Sequence, residues 1–393
     1  MAGAGDFLVG IRVLDLSQFL PGPFATQMLA DMGASVLKVE PPAGDPMRRL
    51  DPATGQPFTG DGGGGGKSAR SPYYDAVNAG KTVVALDLKS GDGKQVLETL
   101  VRSADVLLES YRPGVLSRLG FDRQALESLN PRLVHCALSG YGQTGPKRLR
   151  SGHDINYVSS TGAFSASGIA ARPVMAWPPP ADYASAQQSV VAILGALLAR
   201  TRPGPRHNMG AYLDISLAES MLAWQAWGMT AAGDGEATAL EREQNLLNGG
   251  AACYQFYATK DGRFISLGAL EAHFWANFCD AVGRPDWLER QLDPLPQTDL
   301  IGEVANTIAA YPLEHWETVL VDVDCCYHAV LDYAEAAADP QVRERGMMGG
   351  GVLFPATIDG AAPSPRAPVR DIDVQAALDL WREPIPRIIN KDP

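Results

Sequence analysis

The sequence has few cysteines and none in the paired spacing that binds zinc. Its five cysteines are scattered over 393 residues, too few for the disulfide framework of a small secreted protein. No Cys-x-x-Cys pair occurs, so we expect no structural zinc site and no other bound metal. Cys325 and Cys326 are adjacent, and we expect both to be buried packing residues.

Basic residues and long apolar runs are also scarce. Lys and Arg total 33 against 45 Asp and Glu, which gives a formal net charge of −12. This acidic balance argues against electrostatic binding to nucleic acid or to an anionic membrane. No apolar run reaches the ~18 residues of a membrane span, and residues 1–6 lack a secretory signal pattern. We therefore expect a cytoplasmic protein with neither a nucleic-acid nor a membrane partner.

Strand and helix patterns alternate through the first part of the chain. Residues 9–16 alternate apolar and polar side chains as a strand does, and Pro21-Gly22-Pro23 ends that pattern. Helical spacing follows at 24–32, with Gly33 well placed as a helix C-terminal residue. The same alternation predicts strands at 36–40, 82–88, 106–109 and 133–138 and helices at 93–103 and 183–200. Strand, helix and strand within about 30 residues is the βαβ unit of a parallel sheet.

The pattern changes near residue 249. Two strands, at 254–257 and 264–267, flank the turn Lys260-Asp261-Gly262, and helices are predicted at 272–282 and 300–310. After Pro340 the chain is Pro-rich and irregular, so we expect it to wrap an existing domain. We predict an α/β fold with a Rossmann-like large domain at 1–220, a smaller α+β domain at 221–329, and a tail, 330–393, that packs on the large domain.

A glycine-rich segment partly matches the motif of a phosphate-binding loop. Gly62–Gly66 precedes Lys67-Ser68, within a stretch at 45–77 rich in Gly and Pro. The first glycine of the motif is replaced by Asp61, and no strand precedes it. We therefore interpret the stretch 45–77 as a mobile excursion and not as a nucleoside triphosphate site.

Three side chains are candidates for proton transfer or nucleophilic chemistry, and each has a structural alternative. Asp182 stands at the start of the predicted helix 183–200, where aspartate is a good N-cap; a carboxylate there could also act as base or nucleophile. On local sequence alone the cap is favoured. His153 and Glu271 could equally be a turn residue and a helix cap.

Several long motifs lie between residues 10 and 142. They are Gly10-Ile11-Arg12-Val13-Leu14-Asp15-Leu16 with Pro21-Gly22-Pro23, Leu29–Ala34 with Lys38-Val39-Glu40, Ala104–Glu109 with Tyr111-Arg112-Pro113-Gly114, and Leu138-Ser139-Gly140-Tyr141-Gly142. These motifs resemble those of the family III CoA-transferases, also known as the CaiB/BaiF family, and their α-methylacyl-CoA racemase relatives. The resemblance extends over nearly the whole chain. It implies a CoA-binding large domain and an interlocked homodimer whose active sites are shared between the large domain of one chain and the small domain of the other.

The resemblance also implies roles for individual residues. Gly152-His153-Asp154-Ile155-Asn156-Tyr157 is similar to the racemase motif that supplies a catalytic His, and Ala181-Asp182-Tyr183 to the one that supplies the second acid/base. Glu271, in Gly268-Ala269-Leu270-Glu271, matches the glutamate that partners the His. In the transferases the equivalent aspartate is a nucleophile that carries the acyl group and then CoA.

The retention of all three residues favours an acyl-CoA racemase or epimerase that inverts the α-carbon of a 2-methyl-branched thioester. Inversion needs two acid/bases on opposite faces, and an enolate oxygen needs donors such as backbone N–H groups at a helix start. A CoA-transferase moving CoA between carboxylic acids is the alternative, and a non-catalytic CoA-binding protein is a third possibility. Arg112, Lys147, Gly140 and Gly142 are the candidate CoA-binding residues, and coenzyme A enters only as part of the substrate, with no prosthetic group.

Overall fold

The computed structural model describes residues 4–57, 70–234 and 239–382. Of the stretch 45–77, interpreted above as a mobile excursion, residues 58–69 with the pentaglycine lie outside the described residues. The described part of the stretch contains the helical segments Pro46–Arg48 and Pro72–Asn78, in which Met47 and Tyr74 are buried. No helix within the described ranges is both long enough and apolar enough to cross a membrane.

The described chain contains 16 α-helices and 12 strands, which we number in chain order. The helices are α1 Pro21–Asp31, α2 Pro72–Asn78, α3 Gly91–Ser103, α4 Val115–Arg118, α5 Arg123–Leu129, α6 Asp154–Ser159, α7 Ala163–Ala166, α8 Pro180–Thr201, α9 Leu217–Ala223, α10 Ala226–Gly233, α11 Ala272–Ala281, α12 Thr298–Ile308, α13 Leu313–Leu320, α14 Tyr333–Ala338, α15 Pro340–Glu344 and α16 Val374–Leu380. The strands are β1 Arg12–Leu16, β2 Ser35–Glu40, β3 Thr82–Ala85, β4 Val106–Glu109, β5 Val134–Ser139, β6 Gly168–Ile169, β7 Arg172–Pro173, β8 Ala211–Ser216, β9 Tyr254–Ala258, β10 Phe264–Gly268, β11 Tyr327–Ala329 and β12 Arg370–Ile372. Short 3₁₀ segments occur at Ala4–Asp6, Pro46–Arg48 and Pro285–Leu292.

The chain divides into two compact units. The first comprises the described parts of Met1–Tyr157, Pro178–Met221 and Pro340–Pro393, and the second comprises Val158–Trp177 and the described parts of Leu222–Asp339. The second unit thus includes residues 158–177, which the sequence assigned to the large domain. Side chains explain the grouping, because Arg242 Nη1 donates to the Phe164 carbonyl at 2.9 Å and Asn248 Nδ2 donates to the Ala166 carbonyl at 3.0 Å.

The first unit contains a seven-stranded sheet in the order β12-β3-β2-β1-β4-β5-β8, and every neighbouring pair is parallel. Side chains of β1 alternate between the two faces, as a strand requires. Val13 packs with residues of α1 and α8, whereas Leu14 packs on the other face with residues of α3, α5 and α16. Helices therefore cover both faces of the sheet, and the predicted α/β class with a parallel sheet is confirmed.

The carboxyl ends of the parallel strands form one edge of this sheet. The strand order reverses between β1 and β4, because β2 and β3 lie on one side of β1 while β4, β5 and β8 lie on the other. In open parallel sheets, ligands bind in the crevice outside the strand ends at such a reversal. The loops that follow β1, β4 and β5 therefore define where a site is expected.

The second unit contains an antiparallel sheet in the order β11-β10-β9. Gly262, at φ +77°, makes the turn between β9 and β10, as the sequence predicted. Its core contains the buried Trp275, Trp287 and Trp316. Each has a hydrogen-bonding partner suited to a buried indole; for example, Trp275 Nε1 donates to the Trp287 carbonyl at 3.0 Å.

Two local predictions were wrong. Cys325 is buried but Cys326 is exposed, because Cys326 has a left-handed backbone with φ +54° that turns the chain just before β11. The tail after Pro340 is not entirely irregular. Its strand β12 pairs with β3 and extends the parallel sheet, and the buried Ala377 of α16 packs in the core of the first unit.

Candidate active site

Asp182 lies in the first turn of α8, but its side chain is not the cap of that helix. The helix begins at Pro180, with Pro179 in the N-cap position, since proline has a backbone angle suited to the first helical residue. The cap comes from Asp154, whose Oδ1 accepts from the backbone N–H groups of Ala181 at 2.7 Å and Asp182 at 3.2 Å. The favoured capping interpretation of Asp182 is therefore wrong, and its carboxyl group is available for another role.

Burial and a neighbouring charge change the acidity of Asp182. The side chain is half-buried, and desolvation, followed by repulsion from the Asp154 carboxylate, raises the pKa of Asp182 to about 7. A helix N-terminus would favour the anion, yet the two unfavourable effects are larger here. A carboxyl group with this pKa can both accept and return a proton near neutral pH.

This shift makes a prediction about stability. A group whose folded pKa is raised contributes most to stability below its unfolded pKa, and that contribution is lost as the pH rises to the folded pKa. For Asp182 this window runs from the ordinary 3.8 to about 7. The Asp182→Asn variant should therefore gain stability relative to wild type across this window, by about 1–3 kcal/mol in total. Urea unfolding at pH 4.5 and pH 7.5 measures the difference, and an equal effect at both values would contradict the raised pKa.

His153 is brought to the same place by chain connectivity. It directly precedes Asp154, the residue that caps α8, and its ring is exposed. The turn is fixed by Asn156, whose Oδ1 accepts from the His153 backbone N–H at 3.1 Å. Two of the three predicted acid/bases, His153 and Asp182, therefore lie at the amino end of α8.

Glu271 belongs to the second unit and occupies the N-cap position of α11. Its side chain is exposed and makes no capping hydrogen bond. The carboxylate is therefore free of the structural role that its sequence position suggested.

Tyr157 packs against the glycine turn after β5. A Cβ atom at Gly140 would lie 2.5 Å from the Tyr157 hydroxyl, so only glycine permits this approach. The Tyr157 ring packs edge-on against Tyr141 with centroids 5.1 Å apart. Burial, followed by the charges of Tyr141 and Asp182, raises the pKa of Tyr157.

Gly142 is required by its backbone conformation. It has φ +82°, and the next residue, Gln143, donates its backbone N–H to Asp214 of β8 at 3.0 and 3.1 Å. The left-handed angle and this anchor fix the turn at the carboxyl end of β5.

Lys147, one of the two candidate phosphate-binding cations, lies beside the Tyr141–Tyr157 pair. Arg112 is exposed, and its charge opposes the upward shift of the Tyr157 pKa. Lys147 Nζ lies 5.8 Å from the centre of the Tyr141 ring. The structure therefore places Lys147 beside the glycine turn, in the same unit that contains Asp182 and Arg112.

The structure also contains groups that the sequence did not indicate. Asp154 caps α8 although it lies more than 25 positions before this helix in sequence. The local sequence shows only that it is a carboxylate beside His153. The carboxyl of Glu109, at the end of β4, is buried, and desolvation raises its pKa to about 7. It accepts the Tyr111 backbone N–H at 2.7 Å and so supports the loop that contains Arg112.

One expected feature is not available at α8. The N–H groups of Ala181 and Asp182 already donate to Asp154, and Pro180 has none. An enolate oxygen near Asp182 would need donors other than these N–H groups.

Comparisons with a family model, with known relatives and with solved structures all point to one family. A model of CoA-transferase family III matches residues 8–370. The chain is 31% identical over 363 residues to the acetyl-CoA:oxalate CoA-transferase of Acetobacter aceti, covering 88% of this chain and 87% of the relative. It is 32% identical over 344 residues to human α-methylacyl-CoA racemase, covering 86% and 81%. A solved CaiB/BaiF family structure from Brucella suis aligns with a TM-score of 0.80 at 25% identity, over 95% of this chain and 100% of that chain.

Proposed function

We propose, from the premise that this chain belongs to CoA-transferase family III, that it is an acyl-CoA racemase or epimerase acting on a 2-methyl-branched thioester. The observation that carries the proposal is the carboxyl group of Asp182, which has a pKa raised to about 7 and lies at the same helix start as His153. A nucleophile would need to be ionised before attack, whereas a proton carrier benefits from a pKa near the working pH.

The reaction needs no prosthetic group and can be written with these side chains. Asp182 removes the α-proton, and the electron pair of the C–H bond moves to the thioester oxygen to give an enolate. His153, as an imidazolium, returns a proton to the opposite face, which leaves Asp182 protonated and His153 neutral. Solvent exchange or the reverse reaction restores the starting protonation. Glu271 is assigned to orient the imidazole, as the resemblance implies.

Coenzyme A is proposed to bind at the carboxyl edge of the sheet. Gly140 and Gly142 allow close approach of the chain, and Arg112 and Lys147 offer cations for phosphate oxygens. A local cation pair is needed because the whole chain has a formal net charge of −12.

Arg112→Ala should weaken CoA binding by about tenfold or more, because a hydrogen bond to a charged group contributes roughly 1.5–3 kcal/mol. Titration calorimetry at two salt concentrations measures the affinity, and the salt dependence should be smaller in the variant. Arg102→Ala removes an exposed cation at the end of α3, beside the opposite edge of the sheet, and should leave the affinity unchanged. Equal affinities for wild type and Arg112→Ala would remove Arg112 from the site.

We further propose a homodimer. The helix α10 has the sequence Ala-Trp-Gly-Met-Thr-Ala-Ala-Gly and buries none of its residues against the described chain, and Trp227 is 75% exposed. An apolar surface of this kind typically marks an interface. Light scattering should give twice the 41.9 kDa of the chain, and a monomeric mass would exclude the dimer.

A CoA-transferase is the second candidate, favoured by the Acetobacter aceti relative. In that case Asp182 would attack the thioester carbonyl, release CoA and become an acyl anhydride. The deciding experiment supplies an acyl-CoA together with a free carboxylic acid. A new thioester would support the transferase, whereas its absence beside rapid α-proton exchange would support the racemase.

A further inference from the structure

Four charged side chains are buried beneath the loop that follows β1. They are Asp15, Lys38, Asp45 and Lys81, with exposed fractions of 0%, 0%, 1% and 2%. They form two ion pairs, Lys38 Nζ to Asp45 Oδ2 at 3.0 Å and Lys81 Nζ to Asp15 Oδ2 at 3.2 Å. Burying an ion pair is a poor source of stability, because desolvation offsets most of the attraction. The backbone groups that these side chains bind therefore indicate a role other than stability.

The pairs hold the backbone of residues 17–19. Lys38 Nζ donates to the Ser17 carbonyl at 2.6 Å, and the Ser17 N–H donates to Asp15 Oδ1 at 2.9 Å. Asp45 Oδ1 accepts the Phe19 N–H at 3.3 Å. Successive backbone groups of this loop are thus bound to side chains that lie beneath it.

Phe19 has a backbone conformation that needs such support. Its φ is +65°, a left-handed angle that is rare for a bulky residue. The residue is 45% exposed, so burial of its side chain does not account for the conformation. Strained backbone of this kind persists where the surroundings fix it, and it is concentrated at ligand sites.

The loop lies where the strand order of the sheet reverses. It follows β1, and the next loop across the reversal follows β4 and contains Ser110 and Arg112. The two loops are joined directly, since the Gln18 N–H donates to Ser110 Oγ at 3.1 Å. The buried ion pair of Lys38 and Asp45 therefore lies beneath the crevice in which CoA is proposed to bind.

We propose that Lys38 and Asp45 are positioning residues, which fix the Ser17–Phe19 backbone in the shape that the CoA site requires without themselves contacting CoA. The identity of the ligand as CoA rests on the proposed function. The fixing of the Ser17–Phe19 backbone by the ion pair does not depend on that function.

The test uses the double variant Lys38→Met/Asp45→Asn, which removes both charges and keeps an oxygen at position 45. Replacing a buried pair by uncharged groups of similar size is often neutral for stability, so we expect an unchanged urea midpoint. We also expect coenzyme A to bind about tenfold more weakly by calorimetry, and the amides of Gln18 and Phe19 to exchange with D₂O at least about tenfold faster.

A matched control is the pair Arg200–Asp105, at 2.7 Å and also largely buried. Asp105 lies just before β4, at the opposite edge of the sheet. Arg200→Met/Asp105→Asn should leave both CoA affinity and exchange at 18 and 19 unchanged. If the first double variant does not fold, Asp45→Asn alone is measured in the same way.

The possible results distinguish a failure of the positioning role from a failure of the proposed function. Unchanged exchange at residues 18 and 19 in a folded variant would overturn the positioning role, and so would unchanged CoA affinity beside faster exchange. If wild-type protein binds no coenzyme A, the proposed function fails, while the exchange measurement still decides whether the pair fixes the loop.

Discussion

The Asp182→Asn variant is expected to lose turnover by about 10²–10⁴-fold, the usual contribution of a general acid or base. Both proton transfer and covalent attack require the carboxylate, so the loss is expected for either chemistry. The variant should fold, because Asp154 and not Asp182 caps α8. At pH 7.5 it should be more stable than wild type, since the half-buried carboxylate is then absent. Loss of activity with a gain in stability is typical of a strained functional group.

A control distinguishes this effect from a general change of charge at a helix start. Asp92 lies in the first turn of α3, and Asp92→Asn makes the same substitution there. We expect unchanged turnover and a small loss of stability, about 0.3–1 kcal/mol, from the weaker interaction with the helix dipole. Near wild-type turnover in Asp182→Asn would remove the central residue of the proposed site.

The His153→Ala variant is expected to abolish inversion while leaving part of the proton exchange. A single base returns the proton to the face from which it came, so inversion requires the second carrier. Exchange with solvent should survive in one enantiomer of a 2-methylacyl-CoA only, the one whose α-proton faces Asp182. Chiral chromatography gives the inversion rate, which should fall by about 10²–10⁴-fold, and mass spectrometry gives the exchange.

Glu271→Gln provides the graded comparison for this variant. It keeps the size of the side chain and removes the charge that is proposed to orient the imidazole. The same defect should appear in a milder form. If His153→Ala inverts its substrate as fast as wild type, His153 has only the turn role that its exposed position also permits.

The βαβ units could be predicted from sequence because their signals are local. Patterns within a few residues predict the strands β1 and β2, the helix α1 and the glycine that follows this helix. Gly33, at φ +96°, ends α1 as predicted. Such signals do not contain the strand order. β12 has only three residues and is defined by pairing with β3, nearly 300 positions earlier in the chain.

The residue types of the candidate site could be predicted from the sequence, but the electrostatics around them could not. The motif around Asp182 indicated a carboxyl group at a helix start, yet local sequence favoured a cap that the structure assigns to Asp154. The raised pKa of Asp182 depends on that distant carboxylate and on burial, neither of which is a local property. The support of the Ser17–Phe19 backbone is of the same kind, because Lys38 follows Ser17 by 21 positions and Asp45 follows Phe19 by 26, yet both lie beneath this loop.

The most direct test of the proposed chemistry is the fate of the α-hydrogen of each pure enantiomer of a 2-methylacyl-CoA, incubated with wild-type protein in D₂O. A racemase should introduce deuterium at the α-carbon of either starting enantiomer, with both approaching the same mixture of configurations. No deuterium at that carbon, together with transfer of CoA to an added carboxylic acid, would exclude the racemase and identify the protein as a CoA-transferase.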